Sequence, residues 1–387
     1  MTVTADTNTE AVVLFGESYH HPNVFYRTKF LVPDPVVVVD GGGEDVVLWT
    51  SVMEAARAQR EASVRAVRST SELEEKVKQK RHGEQDGWGA LVAAICEEHG
   101  LTCVTVDSDF PALIADQLRE QGVTVRARAD LYRRERRIKT AEEMEKIAAT
   151  EIAGMEGLQR AIDLVASAEI RDGLLWREGR PMSGNDLVLA VETRLLELGC
   201  TTTDSICCGG PESADPHRTT SPVLRAGLPI VLDIYPFDKT TRYWGDMTRT
   251  VVRGTPPPEV EAMWEATLEA QQAGLDAVSA GVNGRDVHYA CCEVYARRGY
   301  GSLAKPYRHI ESEAKFIHGT GHGLGLEIHE FPRVGDVDVT LEVGDVITVE
   351  PGLYDPRLGG VRIEDLVVVT AEGCRNLTTL PKVFRLD

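Results

Sequence analysis

The sequence predicts an α+β protein: a small α/β domain followed by a larger domain in which helices pack against a mostly antiparallel sheet. Three observations predict it. Short β-branched runs alternate with helix-forming stretches up to about residue 132. Helical segments behind capping residues then open the second part, at about 141 and 184. After residue 229, apolar stretches are separated by turn-rich segments, the pattern of hairpins. A chain of 387 residues also exceeds what one small core organises. The boundary is expected near residue 138, giving domains 1–137 and 138–387.

In the first domain, Val36-Val37-Val38-Val39 runs into Asp40-Gly41-Gly42-Gly43, a strand followed by a turn. A second strand is expected at 46–50, helices at 54–68, 88–98 and 111–120, and strands at 102–106 and 123–127. The basic run Arg133-Arg134-Glu135-Arg136-Arg137 reads as a solvated linker face rather than a nucleic-acid patch. Thr140 and Glu143 have the spacing of a capping box and open a helix over about 141–168. Ser183 caps a helix over 184–198, Pro256-Pro257-Pro258 starts one ending near Gly281, and another runs over 285–298. Strands are expected at 229–235, 243–252, 326–329, 345–350 and 360–369.

Lys plus Arg number 42 against 61 Asp plus Glu, a formal charge of -19. Phosphate backbones and anionic membrane surfaces attract clustered cations, so nucleic acid and membrane are both disfavoured as partners. The 8 cysteines include two vicinal pairs, Cys207-Cys208 and Cys291-Cys292, and no CxxC. They read as free, buried thiols in a reducing compartment. Residues 1–10 are polar and lack an apolar signal core, and no stretch approaches the ~20 apolar residues of a membrane helix. A cytoplasmic location is expected.

The chemistry gathers in the second domain. Asp233 interrupts the apolar strand Leu232-Asp233-Ile234, where an unpaired charge is expensive. Asp246 follows thirteen residues later. A hairpin centred between Lys239 and Thr240 sets the two aspartates opposite each other, where like charges repel unless a cation lies between them. The alternative is that Asp233 accepts hydrogen bonds and Asp246 pairs with Arg249 or Arg242. The geometry recurs: a hairpin centred on Arg357 sets Glu350 opposite Glu364, with Arg362 on the face of Glu364. Two hairpins that each oppose two acids are hard to explain by salt bridges alone. Between them lies His318-Gly-Thr-Gly-His322-Gly-Leu-Gly-Leu-Glu-Ile-His329-Glu330, which holds three of the 10 histidines among alternating glycines. His217 stands in the loop sequence Asp215-Pro-His-Arg-Thr-Thr. Four carboxylates and one imidazole suit two hard or borderline divalent ions such as Mn²⁺, and also Co²⁺ or Zn²⁺.

Five ordered motifs carry a resemblance: Pro216-His217-Arg218, Val231-Leu-Asp233-Ile, Trp244-Gly-Asp246-Met-Thr-Arg249-Thr, the histidine motif above, and Thr348-Val-Glu350-Pro-Gly-Leu-Tyr with Val361-Arg362-Ile-Glu364-Asp. With these the chain resembles the creatinase/methionine aminopeptidase (pita-bread) superfamily, in its Xaa-Pro aminopeptidase and Xaa-Pro dipeptidase (prolidase) branch. The resemblance covers most of the chain and implies a C-terminal pita-bread catalytic domain behind a smaller RNase-H-like α/β domain. It implies a metallopeptidase that cleaves an N-terminal Xaa-Pro-type bond in a peptide or dipeptide by attack of a metal-bridging hydroxide. Asp233 would chelate one ion, His322 and Glu350 mainly the other, and Asp246 and Glu364 would bridge. Glu350 would also shuttle a proton, His329 would stabilise the oxyanion, His318 and His217 would line the substrate pocket, and Arg362 would orient Glu364 or the substrate end. A homodimer is implied as well. Two features depart from the family: the aspartates are commonly eleven residues apart, and the stretch from Lys305 to Phe316 is longer here. An even insertion preserves the face on which each aspartate points. The competing functions are a metal-independent creatinase-like hydrolase of a small C–N compound, which would lack the full ligand set, and a non-catalytic pita-bread binding module, which would have lost ligands.

Overall fold

The computed structural model describes residues 10–80 and 87–387. The polar segment at the N-terminus lies outside them, apart from Glu10. The chain forms two compact units that divide between Arg134 and Glu135.

The first unit is a six-stranded mixed sheet in the order Ala66–Ser69, Val46–Thr50, Val36–Asp40, Glu10–Gly16, Cys103–Asp107, Thr124–Arg128. Every residue of Val36–Asp40 and Val46–Thr50 is buried. The reason is that helices cover both faces, so the alternation that marks a half-exposed strand disappears. Val37, Val39 and Trp49 pack with Ile95 and Leu118 on one face, and Val36, Val38 and Leu48 with Phe30 and Ala58 on the other. The helix expected over 54–68 is Val52–Glu61. The rest of that stretch turns into the strand Ala66–Ser69, because β-branched Val64 and Val67 are drawn into the second of these cores.

The second unit places helices on a mostly antiparallel set of sheets, the pita-bread architecture. The helices Ala141–Ala166 and Gly184–Glu197 cover a sheet ordered Ile206–Gly209, Ile230–Ile234, Met247–Arg253, Arg385–Leu386. Leu158, Ile162, Val165, Leu187, Val191 and Leu195 meet Ile230, Leu232 and Val251 there. Thr140 and Glu143 close their capping box, and the Asp186 carboxylate accepts the Ser183 N–H at 2.7 Å. The helices Pro258–Ala277 and Gly284–Arg297 cover the other side, packing Met263, Ala270, Cys291 and Tyr295 on Phe316, Leu353 and Val361. A five-stranded sheet, Glu330–Val334, Gly321–Gly323, Val346–Val349, Asp365–Val369, Cys374–Asn376, runs between them. A bridge from Thr248 to Glu364 ties it to the first sheet.

Three strand expectations change. Residues 326–329 are bends, and the strand starts at Glu330. Its cause is Glu330 itself, whose carboxylate accepts the N–H groups of Leu326 and Glu327 at 2.9 and 3.1 Å and curls the backbone. The stretch 360–369 is two strands, Gly359–Arg362 and Asp365–Val369, interrupted at Ile363 and Glu364. The regular ladder after the aspartate turn begins only at Met247. The basic run also differs. Arg137 is buried, with Asp345 at 2.6 Å and the Thr340 carbonyl at 2.6 Å, and the Arg136 side chain is 10% exposed. These two arginines anchor the start of the second unit rather than facing solvent. Among the described residues no helix is long and apolar enough to cross a membrane.

Candidate metal centre

Both acidic hairpins form, and they differ in register. The strand Ile230–Ile234 pairs with Met247–Arg253 so that Asp233 faces Thr248 and Ile234 faces Met247. Phe237 pairs with Trp244 in the same register. The turn is therefore centred one residue later than expected, between Thr240 and Thr241. Asp238 fixes it there: its carboxylate accepts the Thr240 N–H at 2.9 Å and that of Thr241, and Arg242 takes a left-handed φ of 65°. Asp246 consequently lies diagonal to Asp233, not opposite it. A shift of two keeps both side chains on one face. The second hairpin has the expected centre. Gly352 pairs with Arg362 and Val349 with Asp365, the register in which Glu350 faces Glu364.

The two hairpins and the histidine loop converge on a cavity of about 600 Å³. Asp233, Asp246, His322, Glu350 and Glu364 line it, as do His217, His318, His329 and Arg362. All the residues singled out from sequence are therefore together. Donor atoms of Asp246, His322 and Glu364 lie within 4.8 Å of one another, a distance that two ~2.1 Å metal–ligand bonds nearly span. His322 Nε2 is 3.5 Å from Asp246 Oδ2 and 3.6 Å from Glu350 Oε1. Its Nδ1 lies 3.1 Å from the Gly323 carbonyl, which assigns the proton to Nδ1 and leaves the Nε2 lone pair facing carboxylate oxygens. Burial, with His329 adding to it, pushes the His322 pKa down to about 3, so the ring is neutral. A lone pair aimed at carboxylates is stable around a cation, or where a carboxyl carries a proton.

The acids give the same answer. Burial, followed by the charges of Glu364, Asp233 and Glu350, pushes Asp246 well above the usual carboxylate range. Burial and the charges of Glu350 and Asp233 do the same to Glu364, and burial pushes Glu350 up to about 7. The hydroxyls of Thr248 and Thr348 donate to Glu364 and Glu350 at 2.7 and 3.5 Å. The one guanidinium in the cluster, Arg362, pairs with Asp233 and donates to Tyr354 Oη at 2.8 Å. Its Nε also lies 3.3 Å from Thr248 Oγ1, the hydroxyl that donates to Glu364. Even so Asp233 Oδ1 is buried without a hydrogen-bond partner among the described residues. One cation among four carboxylates leaves a deficit that divalent ions fit, and the oxygen-rich donor set suits them.

The remaining histidines occupy distinct positions. His318 sets Nδ1 2.7 Å from the Gly319 carbonyl and Nε2 2.8 Å from Tyr354 Oη, so the phenol donates to it. Burial, then Arg362, pushes its pKa down to about 3. His329 is exposed to the cavity and stands edge-on to His322, with ring centroids 4.3 Å apart. His217 lies on the exposed rim.

Arg333 and Glu151 are among the residues of the site that escaped the sequence reading. Arg333 lines the cavity. It is paired across strands with His322, is exposed, and has no ion-pair partner among the described residues. Reading the strand four residues early hid it. Glu151, buried in the helix Ala141–Ala166, accepts the Asp246 N–H at 2.9 Å. Burial pushes it up to about 8. A glutamate on the apolar face of a helix was its only mark.

Comparison with known proteins converges on one family. The family model of metallopeptidase family M24 matches residues 143–371. An Xaa-Pro dipeptidase of Pyrococcus furiosus is 39% identical over 177 residues, 45% of this chain and 47% of the relative. One from Lactobacillus delbrueckii is 34% identical over 190 residues, 48% of this chain and 47% of the relative. The matched segment thus spans about half the length of these relatives. Over the whole fold, the prolidase of Pyrococcus horikoshii superposes with a TM-score of 0.77 at 25% identity, covering 97% of this chain and 95% of that one. The prolidase of Pyrococcus furiosus gives 0.75 at 26% identity, covering 95% and 96%.

Proposed function

The chain belongs to metallopeptidase family M24, and on that footing we propose that it is a dinuclear metal-dependent peptidase cleaving the bond before proline in Xaa-Pro dipeptides or short peptides. The observation that carries the reading is the convergence of four carboxylates and a neutral imidazole on a cavity in which Arg362 is the one buried guanidinium, Arg333 being exposed. Asp233 would hold one ion, His322 and Glu350 mainly the other, and Asp246 and Glu364 both, with Mn²⁺ favoured over Co²⁺ or Zn²⁺ by the oxygen donors. When bound, the pair supplies Lewis acidity and a nucleophilic water at neutral pH.

The chain's own residues do the rest. Glu350 takes and returns a proton, first from the attacking water and then to the leaving nitrogen. His329 donates to the oxygen that gains charge as the carbonyl becomes tetrahedral. His318 is held by Tyr354 and forms pocket wall, with His217 at the rim. Arg333 is an uncommitted cation at the cavity, suited to the free carboxylate of a dipeptide, and that favours dipeptides over longer chains. All eight cysteines are free, which supports a cytoplasmic location, and a net charge of -19 argues against nucleic acid or membrane as partner. A homodimer rests on the resemblance alone.

The test is a cleavage panel of Xaa-Pro dipeptides, their C-terminal amides, Xaa-Pro-Yaa tripeptides and non-proline controls with Mn²⁺, Co²⁺ and Zn²⁺, run beside metal analysis. Near two equivalents of metal, chelator-sensitive cleavage, and an Arg333→Ala variant that loses affinity for dipeptides but not for their amides are expected. Turnover of a small amidino compound without metal would replace this reading with a creatinase-like one. Neither metal nor turnover would leave a binding module.

A further inference from the structure

The loop that carries His329 has no regular secondary structure between Gly323 and Glu330, yet a catalytic imidazole must be held to a fraction of an ångström. What fixes it is the residue after the histidine. Glu330 turns its side chain, 6% exposed, back under its own loop, where Oε1 accepts the N–H groups of Leu326 and Glu327 at 2.9 and 3.1 Å. Gly325 leaves the room: a Cβ there would sit 2.9 Å from Glu330 Oε2. The buried charge is met from the far end of the unit. Arg136 donates to Oε1 at 2.5 Å, and Lys139, whose side chain is 2% exposed, reaches Oε2 at 3.4 Å. Both sit on a segment that Arg137 locks to Asp345. From the other side the Trp244 N–H bonds the Gly325 carbonyl at 2.9 Å and its indole N–H the Leu326 carbonyl at 3.1 Å.

From this geometry we propose that Glu330 is a positioning residue for catalysis, holding the loop and thereby the His329 imidazole against the acid cluster, with Arg136 and Lys139 as its fixed counter-charges. The inference rests on the peptidase reading above, since it assigns the loop to His329's role. It separates from a general structural role because its effect must pass through one histidine.

The test is Glu330→Gln in the full chain, which keeps the shape and removes the charge, with Arg136→Gln as a second variant that leaves the carboxylate on Lys139. Amide exchange at Leu326 and Glu327 should accelerate about tenfold or more, with the flanking strands unchanged. On an Xaa-Pro dipeptide, kcat should fall about tenfold while KM moves less than about twofold. In a His329→Ala background the same substitution should change kcat by less than about twofold. An equal fall in both backgrounds overturns the proposal, and so does unchanged exchange in whichever variant folds. If the wild-type protein cleaves no Xaa-Pro peptide, the peptidase reading fails, and unchanged or accelerated exchange alone decides whether Glu330 holds the loop.

Discussion

Glu364 and Asp365 are neighbours in sequence and opposites in environment. Glu364 points into the cavity, where the Thr248 hydroxyl is its hydrogen-bond donor and other acids are its neighbours. Asp365 points the other way into an equally dry interior. There it meets Arg249 Nη2 at 2.9 Å, Lys382 Nζ at 2.7 Å and the Asn376 amide at 2.7 Å. Burial acts on both. It carries Glu364, with Glu350 and Asp233 adding to it, well above the usual range. At Asp365 the charges of Arg249 and Lys382 overcome it and hold the acid below that range. The difference teaches that burial of an acid does not mark a site. What marks it is several acids buried together on a cavity without matching counter-charge from the chain, a deficit that protons or bound cations must meet.

The strongest way to break this contrast is to remove one acid from each region. Asp246→Ala should lower peptide cleavage by on the order of 10³-fold or more and reduce bound metal. The metal-free variant should unfold no earlier than the metal-free parent, since a repulsive buried acid is gone. Asp365→Ala should do the reverse: it strands Arg249 and Lys382 and costs about 3–5 kcal/mol of stability. Thermal unfolding of both proteins in chelator decides it. If Asp246→Ala is destabilised as much as Asp365→Ala, the two regions are alike and the cavity acids are structural.

His329→Ala comes next. Its imidazole lies outside the acid cluster, so metal content should hold while kcat falls by about 10²-fold and KM stays within a few-fold. A change confined to KM would contradict the oxyanion role.

A pH series sharpens the comparison further. The Glu350 carboxyl moves from 4.5 in the unfolded chain to about 7 in the fold. Between those values the folded protein keeps a proton that the unfolded chain has released, so the stability of metal-free protein should fall as pH rises through that window. Asp365 acts with the opposite sign and at lower pH: its contribution is present above its unfolded value and lost as pH falls through its depressed folded one. Melting temperatures in chelator should therefore decline from about pH 4.5 to about pH 7, and divalent ions should remove the decline. A flat or rising profile would show that the cavity acids are already compensated.

How much of this was legible in the sequence follows the same physics. The cavity acids were readable because carboxylates inside apolar strands contradict their surroundings, and a contradiction is visible without coordinates. The Arg357-centred hairpin was readable because its turn is short and glycine-bounded. The aspartate hairpin was misplaced by one residue because Asp238 fixes the turn through hydrogen bonds to backbone N–H groups, which composition does not reveal. Arg136 and Arg137 looked like solvated cations because their partners, Glu330 and Asp345, lie roughly two hundred residues away. Long-range pairing is the information that a local pattern lacks.

The smallest expected effect falls on Glu151, which stands between the two regions. Its carboxyl accepts the Asp246 N–H at 2.9 Å and the Thr378 hydroxyl, and both Arg249 and Asp365 act on it from the structural side. Because burial raises it to about 8, it is already uncharged at neutral pH, and its task is to accept hydrogen bonds. Glu151→Gln keeps an accepting oxygen and the same shape, so activity and metal affinity should stay within about threefold of the parent at pH 7. Glu151→Ala removes the acceptor from a buried N–H and opens space beside Gly245, so metal affinity should drop by about 10–100-fold, the range seen when a partner behind a ligand is lost. Metal titrations of the two variants measure the difference. A Gln variant as impaired as the Ala variant would mean that Glu151 is ionised, which would put a charge the chain leaves unbalanced on the structural side of the sheet and erase the boundary between the two regions.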